Sequence, residues 1–249
     1  MSRYFLELAY KGTRYKGFQI QENANTIQSE VETALETIQR SHISLTGSSR
    51  TDTGVHASQN YFHFDFEGEI NPQLVYKMNS LLPKDIAIKN CILMRAECHS
   101  RFDALSRRYS YMIHRKKDPF FEGLSFFYPY KLDMKLMEEA TVFLGGQTNF
   151  FAFAKTNSQV KNFNCGIIDT KWTKEGEQLV FTIEANRFLR GMVRLLTASL
   201  LKIGRHQLSL EQFKQLFNGV EKCGYSVPPQ GLFLQSVKFQ SDYFPAPVL

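Results

Sequence analysis

The chain has 249 residues, 30 Lys and Arg against 24 Asp and Glu, a formal charge of +6, and 43% hydrophobic residues. That mixture excludes a wholly disordered chain, and no apolar run approaches the roughly 20 residues of a membrane span. Four widely spaced cysteines (Cys91, Cys98, Cys165, Cys223) without a C-x-x-C pair point to reduced thiols packed as small hydrophobes. The N-terminus lacks a basic segment followed by an apolar run, so a cytoplasmic, non-membrane protein is expected.

In chain order, Arg3 to Tyr10 alternates as a strand, and a turn with two glycines follows. Asn25, with Gln28 three residues on, is placed to cap a helix carrying Ile27, Val31, Leu35 and Ile38 at helical spacing. Ile43 to Thr46 is short and β-like. A polar loop then runs from Gly47 to Gly54. The next strand sets Phe62, Phe64 and Phe66 on one face and Tyr61, His63 and Asp65 on the other. Pro72 and Pro83 bracket a short helix, and Ile86 to Met94 is a strand. In the strand Ser106 to His114, residues Arg107, Tyr109, Tyr111 and Ile113 share a face.

Asp133 caps a helix closed by Gly145 and Gly146. Asn164 to Trp172 and Gln178 to Ala185 read as a hairpin around Glu175-Gly176. Phe188 to Ile203 reads as one long helix, which would align Arg187, Arg190 and Arg194 in a basic stripe opposite Phe188, Met192 and Leu196. Ser209 and Gln212 form a capping box for a last helix ended by Gly219, and Gly231 to Phe239 is the final strand. The fold class is α+β, with two sheet-plus-helix subdomains (residues 1–104 and 105–249) sharing a mostly antiparallel central sheet.

Charge is concentrated in two segments. Arg95 to Lys117 holds seven basic residues against two acids, and Glu184 to Arg205 holds five against one. Such blocks fit a polyanion partner, and they equally fit solvated faces.

The loop Gly47-Ser-Ser-Arg-Thr-Asp-Thr-Gly-Val-His-Ala57 sets Asp52 beside Arg50 among hydroxyl side chains. Positive charge and donors keep a carboxylate ionised, which suits a nucleophile or base. The same residues also fit a plain Asx-turn. Tyr109 fits an ordinary half-buried strand position, Arg194 a phosphate contact, and Arg50 a structural partner of Asp52. His56 and His63 have no further ligand beside them and read as structural. The aromatic run Phe150, Phe151, Phe153 reads as core. Cys91, Cys98 and His99 have no common metal-ligand spacing.

Taken together, these segments resemble the tRNA pseudouridine synthase A family. Arg50-Thr-Asp-Thr-Gly-Val-His56 is similar to its R-T-D-x-G-V-H signature. Tyr10 to Gln19 with Thr26-Ile-Gln28, Asn79 to Ala87, Arg107-Arg-Tyr-Ser-Tyr111, Phe188 to Arg194 and Gly231 to Leu234 follow further family motifs in order. Ser49, Thr53 and Gly191 depart from the usual pattern, standing where Gly, Ala and a larger polar residue are common.

The resemblance implies the pseudouridine synthase fold with a basic RNA-binding cleft. The implied activity is isomerisation of uridine to pseudouridine at positions 38, 39 and 40 of the tRNA anticodon stem-loop. Asp52 is the implied nucleophile. Tyr109 is implied to stack on the uracil, Arg194 to pair with Asp52, and Arg50 to fill the gap left by the extruded base. No cofactor and no metal are expected, because substrate and product are isomers; the family implies a homodimer that binds tRNA. A non-enzymatic RNA-binding protein on the same fold is the competing reading. A nucleoside glycosidase would usually need two cooperating carboxylates, and only Asp52 lies in the distinctive loop.

Overall fold

The computed structural model describes residues 1–156 and 160–245. Its elements follow in the order β1 (Ser2–Tyr10), α1 (Ile27–Gln39), β2 (Thr46–Gly47), β3 (His56–Phe66), α2 (Leu74–Leu81), β4 (Ile86–Met94) and β5 (Ser106–His114). Then come β6 (Phe126–Phe127), α3 (Met134–Gly145), β7 (Ile167–Glu175), β8 (Gln178–Ala185), α4 (Met192–Gly204), α5 (Leu210–Gln215) and β9 (Leu232–Lys238). The chain divides into two units: Met1–Leu105 joined by the chain from Leu234 onward, and Ser106–Phe233. Both are mixed α and β, and their sheets are mostly antiparallel.

In the first unit β1 lies between β3 and β4, antiparallel to both. Phe5 and Leu6 point to opposite faces of the strand, yet both are fully buried, so the sheet is covered on two sides. One cover is the chain end: Phe239, Tyr243 and Phe244 set their rings 6.0–6.2 Å from Phe5. This aromatic return explains why the last strand's residues from Leu234 belong with the beginning of the chain. The predicted alternation in β3 holds. Tyr61 and His63 lie against Phe5, while Phe62 stacks on Phe18 at 4.5 Å.

The structure departs from two local expectations. The cap of α1 is Thr26, not Asn25. Thr26 Oγ1 accepts from Ser29 N at 3.2 Å, and Ser29 Oγ accepts from Thr26 N at 3.1 Å, a reciprocal box. Of the β-like segment Ile43 to Thr46 only Thr46 pairs, opposite His63, and the short strand instead extends into the loop's Gly47, opposite Phe62.

In the second unit β8 lies between β5 and β7, with Tyr109 opposite Ile183 and Tyr111 opposite Phe181. β6 adds a short parallel pair, Ile113 with Phe126. The β7–β8 hairpin closes over Gly176 and Glu177, and Gly176 takes the positive φ of +59° that a two-residue turn requires. Asp133 caps α3 as expected, its carboxylate accepting from Leu136 N at 3.2 Å. Phe150 and Phe153 are fully buried with Phe213 and Phe217, so that aromatic run is core. Phe151 is only half-buried, and the Lys222 ammonium sits 3.7 Å from its ring centre.

The long helix after Phe188 is shorter than its pattern predicts. α4 starts at Met192, because Gly191 sits in the left-handed region (φ +75°, ψ −3°) and Met192 N closes a turn onto Leu189 O at 3.1 Å. Arg187 and Arg190 therefore precede the helix, and the predicted three-arginine stripe does not exist on it. α5 begins at the predicted Ser209–Gln212 box, and its last turn tightens into a 3-10 turn before Gly219 at φ +77°.

Candidate active site

The loop carrying Asp52 runs from β2 to β3 and is held at several backbone positions. Ser48 N donates to Tyr61 O at 2.8 Å, and the Asn60 side-chain amide donates to Ser49 O at 2.8 Å. Phe18 N donates to Thr51 O at 3.1 Å. Thr51 is also fixed through its side chain, because its hydroxyl lies 2.8 Å from the Tyr10 hydroxyl. Asn60 reaches the same Tyr10 oxygen at 3.2 Å. Ser48, Ser49 and Thr51 are buried, Asp52 is half-buried, and Arg50 and Thr53 are exposed.

Asp52 opens a turn. Val55 N donates to Asp52 O at 3.1 Å, and Gly54, the third residue, has φ +77°. A four-residue turn with positive φ at its third position strongly favours glycine there, which gives the D-x-G spacing a physical reason. Immediately after, Nδ1 of the fully buried His56 accepts from Gly12 N at 3.1 Å. His56 is thus a structural acceptor whose other ring nitrogen carries the proton.

The opening segment presses directly on this turn. A Cβ on Gly12 would lie 2.0 Å from Val55 O, and one on Gly17 (φ +104°) would lie 3.2 Å from Thr51 O. The 3-10 turn Gly12–Arg14 and its neighbours are therefore a clamp, which sequence reasoning did not foresee. The available signal was the pair of glycines within Tyr10 to Gln19.

The other candidates lie on the second unit. Tyr109 is half-buried on β5, and its ring meets Phe188 edge to face at 5.0 Å and 81°. Arg194 is half-buried in the first turn of α4. Its Nε donates to Val227 O at 2.8 Å, while Val227 N returns a bond to Arg194 O at 3.3 Å. The neighbouring Pro228 O accepts from Tyr111 Oη at 2.8 Å, and burial raises the Tyr111 phenol far above its ordinary range. Gly231 allows this close pass, since a Cβ there would lie 2.7 Å from the Tyr111 ring. Val227, Pro228 and Tyr111 thus position Arg194, a role that no sequence signal marked.

The basic blocks are partly spent inside the protein. Arg108 binds the buried Glu184 through Nε (2.8 Å) and Nη2 (2.6 Å), and reaches Asp169 at 3.4 Å. Arg95 pairs with Glu97, and Lys116 with Glu177. Arg205 and Lys202 each stand 3.9 Å from a tyrosine ring, Tyr130 and Tyr225 respectively. Among the described residues no cluster of three or more His, Cys, Asp or Glu is placed to hold a metal ion, and no helix is long and apolar enough to cross a membrane. All four cysteines are free thiols, and burial pushes Cys91 up to about 12 and Cys165 up to about 11.

The carboxylate turn thus lies in the first unit, and the strand tyrosine and the clasped helical arginine lie in the second. Comparison with known proteins gives the class of the protein. The family model for tRNA pseudouridine synthase matches residues 8–103 and 140–240. Tyr109 and its motif lie between those two matched stretches, while Asp52 and Arg194 lie within them. The chain is 42% identical over 249 residues to the tRNA pseudouridine synthase A of Parabacteroides distasonis, covering 98% of this chain and 99% of that one. It is 39% identical to that of Porphyromonas gingivalis (98% and 100% covered) and 32% identical to that of Staphylococcus aureus (94% and 91%). The chain belongs to the tRNA pseudouridine synthase family, isomerases that convert uridine to pseudouridine in tRNA.

Proposed function

We propose that this enzyme converts uridine to pseudouridine at positions 38, 39 and 40 of the tRNA anticodon stem-loop, with Asp52 as its nucleophile. The observation that carries the reading is the clamp on the Asp52 turn. Thr51 and Val55 are held on either side of Asp52, which restricts the backbone that carries the carboxylate. Preorganisation of this kind is what positioning contributes to a reaction barrier.

In this scheme the N1–C1′ bond of the target uridine breaks, the uracil turns, and C5 bonds to C1′. C5 gives up its proton and N1 gains one, so the atoms balance with no oxidant and no second substrate. Asp52 supplies the negative charge that attacks or stabilises the separated halves. Tyr109 lies against the uracil while it turns; Phe188, edge-on behind it, steadies the ring.

Arg194 is the cationic residue assigned to the reaction. Its Nε is committed to Val227 O, which aims the rest of the guanidinium. Arg50, exposed two residues before Asp52, fills the gap left by the extruded base, a step that costs a few kcal/mol of unstacking.

The enzyme acts in the cytoplasm as a homodimer, with each tRNA contacting both copies along a basic cleft. Cations of the two charged blocks meet phosphates there, so tRNA binding weakens steeply as salt rises.

The test is incubation with an unmodified tRNA transcript and mapping of pseudouridine at nucleotide resolution. Modification confined to positions 38–40 supports the reading; modification elsewhere in tRNA keeps the chemistry and overturns the site.

A further inference from the structure

The segment after β5 presents an aromatic ring to solvent on a rigid support. Phe120 is 86% exposed, the most exposed aromatic ring described. It does not sit on a loose loop. Pro119–Phe121 is a 3-10 turn capped by Asp118, whose carboxylate accepts from Phe120 N at 2.9 Å. Leu124 N closes the next turn onto Phe121 O at 3.0 Å. Phe121 anchors the turn from below, its ring 5.3 Å from buried His114 at the end of β5. Proline fixes one backbone angle, the cap fixes the next residue, and the neighbouring ring faces inward while Phe120 faces out.

Three exposed cations, Arg115, Lys116 and Lys117, lead into this turn. Lys116 pairs with Glu177 at 3.1 Å. Arg115 and Lys117 have no acidic partner among the described residues. Of the nearby acids, Asp118 is occupied with the cap, and Glu122 is exposed just beyond the turn.

A preordered ring that follows two such cations within five residues of chain fits single-stranded nucleic acid. A base stacks on the ring, and the cations take the adjoining phosphates. A double-stranded stem hides its base faces, so the match is to an unpaired nucleotide. We propose that Phe120, with Arg115 and Lys117, stacks on an unpaired base of the substrate tRNA at a point separate from the uridine being isomerised. The proposal rests on tRNA being the substrate and assigns Phe120 to binding, not to chemistry.

The experiment compares the wild-type enzyme with Phe120→Ala, Phe120→Trp and Arg115→Gln/Lys117→Gln, measuring tRNA affinity, KM and kcat on an unmodified transcript, with sedimentation of each variant. Phe120→Ala is expected to raise Kd and KM about five-fold or more with kcat unchanged, because stacking on an aromatic ring is sequence-tolerant but substantial. Phe120→Trp is expected to restore binding. The double Gln variant is expected to flatten the dependence of binding on salt. Unchanged Kd and KM in Phe120→Ala would overturn the proposal. So would a shift of that variant from dimer to monomer, which would assign the ring to a second copy of the chain. Loss of turnover in the wild type on this transcript would instead strike the reading of the substrate site, so the two failures are distinguishable.

Discussion

Tyr10 and Thr51, 41 residues apart, meet hydroxyl to hydroxyl at 2.8 Å, and both are buried. The end of the first strand thereby holds the residue just before Asp52. Tyr10 also accepts from Asn60, which itself supports Ser49 O.

Tyr10→Phe removes the shared oxygen while keeping the ring in the core. Leaving a buried hydroxyl without its partner costs about 1–3 kcal/mol. The variant is expected to lose that much stability in urea titration. It is also expected to lose turnover beyond what its folded fraction explains, because Thr51 is freed to move Asp52. Equal losses in stability and activity would assign the bond to folding alone.

Two glycines with positive φ separate backbone cost from catalytic cost. Gly54 (φ +77°) lies inside the Asp52 turn. Gly176 (φ +59°) lies in the β7–β8 hairpin, where a Cβ would meet nothing within 4 Å. Substituting alanine forces a left-handed L-residue at either place, at roughly 1–2 kcal/mol. Thermal melts of Gly54→Ala and Gly176→Ala are expected to fall by similar amounts, and only Gly54→Ala is expected to lose most of its kcat.

His63 predicts a pH dependence of stability. It is buried, its Nδ1 lies 2.8 Å from Ser100 Oγ, and it accepts from Ser100 N. Burial first, then His99 and Arg3, push its pKa down to about 4, against the opposing pull of Asp65 and Asp103. The unfolded chain takes up this proton near 6.5 and the folded chain only near 4. Stability is therefore complete above about pH 6.5 and declines as pH falls toward 4, by on the order of 3 kcal/mol from this group. Chemical denaturation between pH 7 and 4 checks the slope. His63→Gln is expected to flatten it.

Much of this fold is legible from pattern alone. Ile86–Met94 and Ser106–His114 match their predicted bounds, and Asp133 and Ser209 cap their helices as their chemistry suggests. These are features decided by near neighbours in the chain. What is not legible depends on backbone angles or on distant partners. Phe188 to Gly191 carries helical spacing of apolar residues, yet the left-handed Gly191 delays the helix to Met192 and scatters the arginines. Asn25 is a good cap by type, but Thr26 has Ser29 in reach. The clamp of Gly12 and Tyr10 on the Asp52 turn joins residues some forty positions apart, and its one local trace is the glycine pair Gly12 and Gly17. Asp52 itself stands out through motif resemblance, since its composition fits an ordinary turn equally well.

The central claim is that Asp52, held by this clamp, performs the chemistry. Asp52→Asn keeps the size of the side chain and its turn while removing the negative charge. The decisive measurement is pseudouridine formation by Asp52→Asn on unmodified tRNA transcript, alongside its tRNA affinity. The account predicts that product falls below detection while affinity stays within a few-fold of wild type. Product formed at the wild-type rate would contradict it.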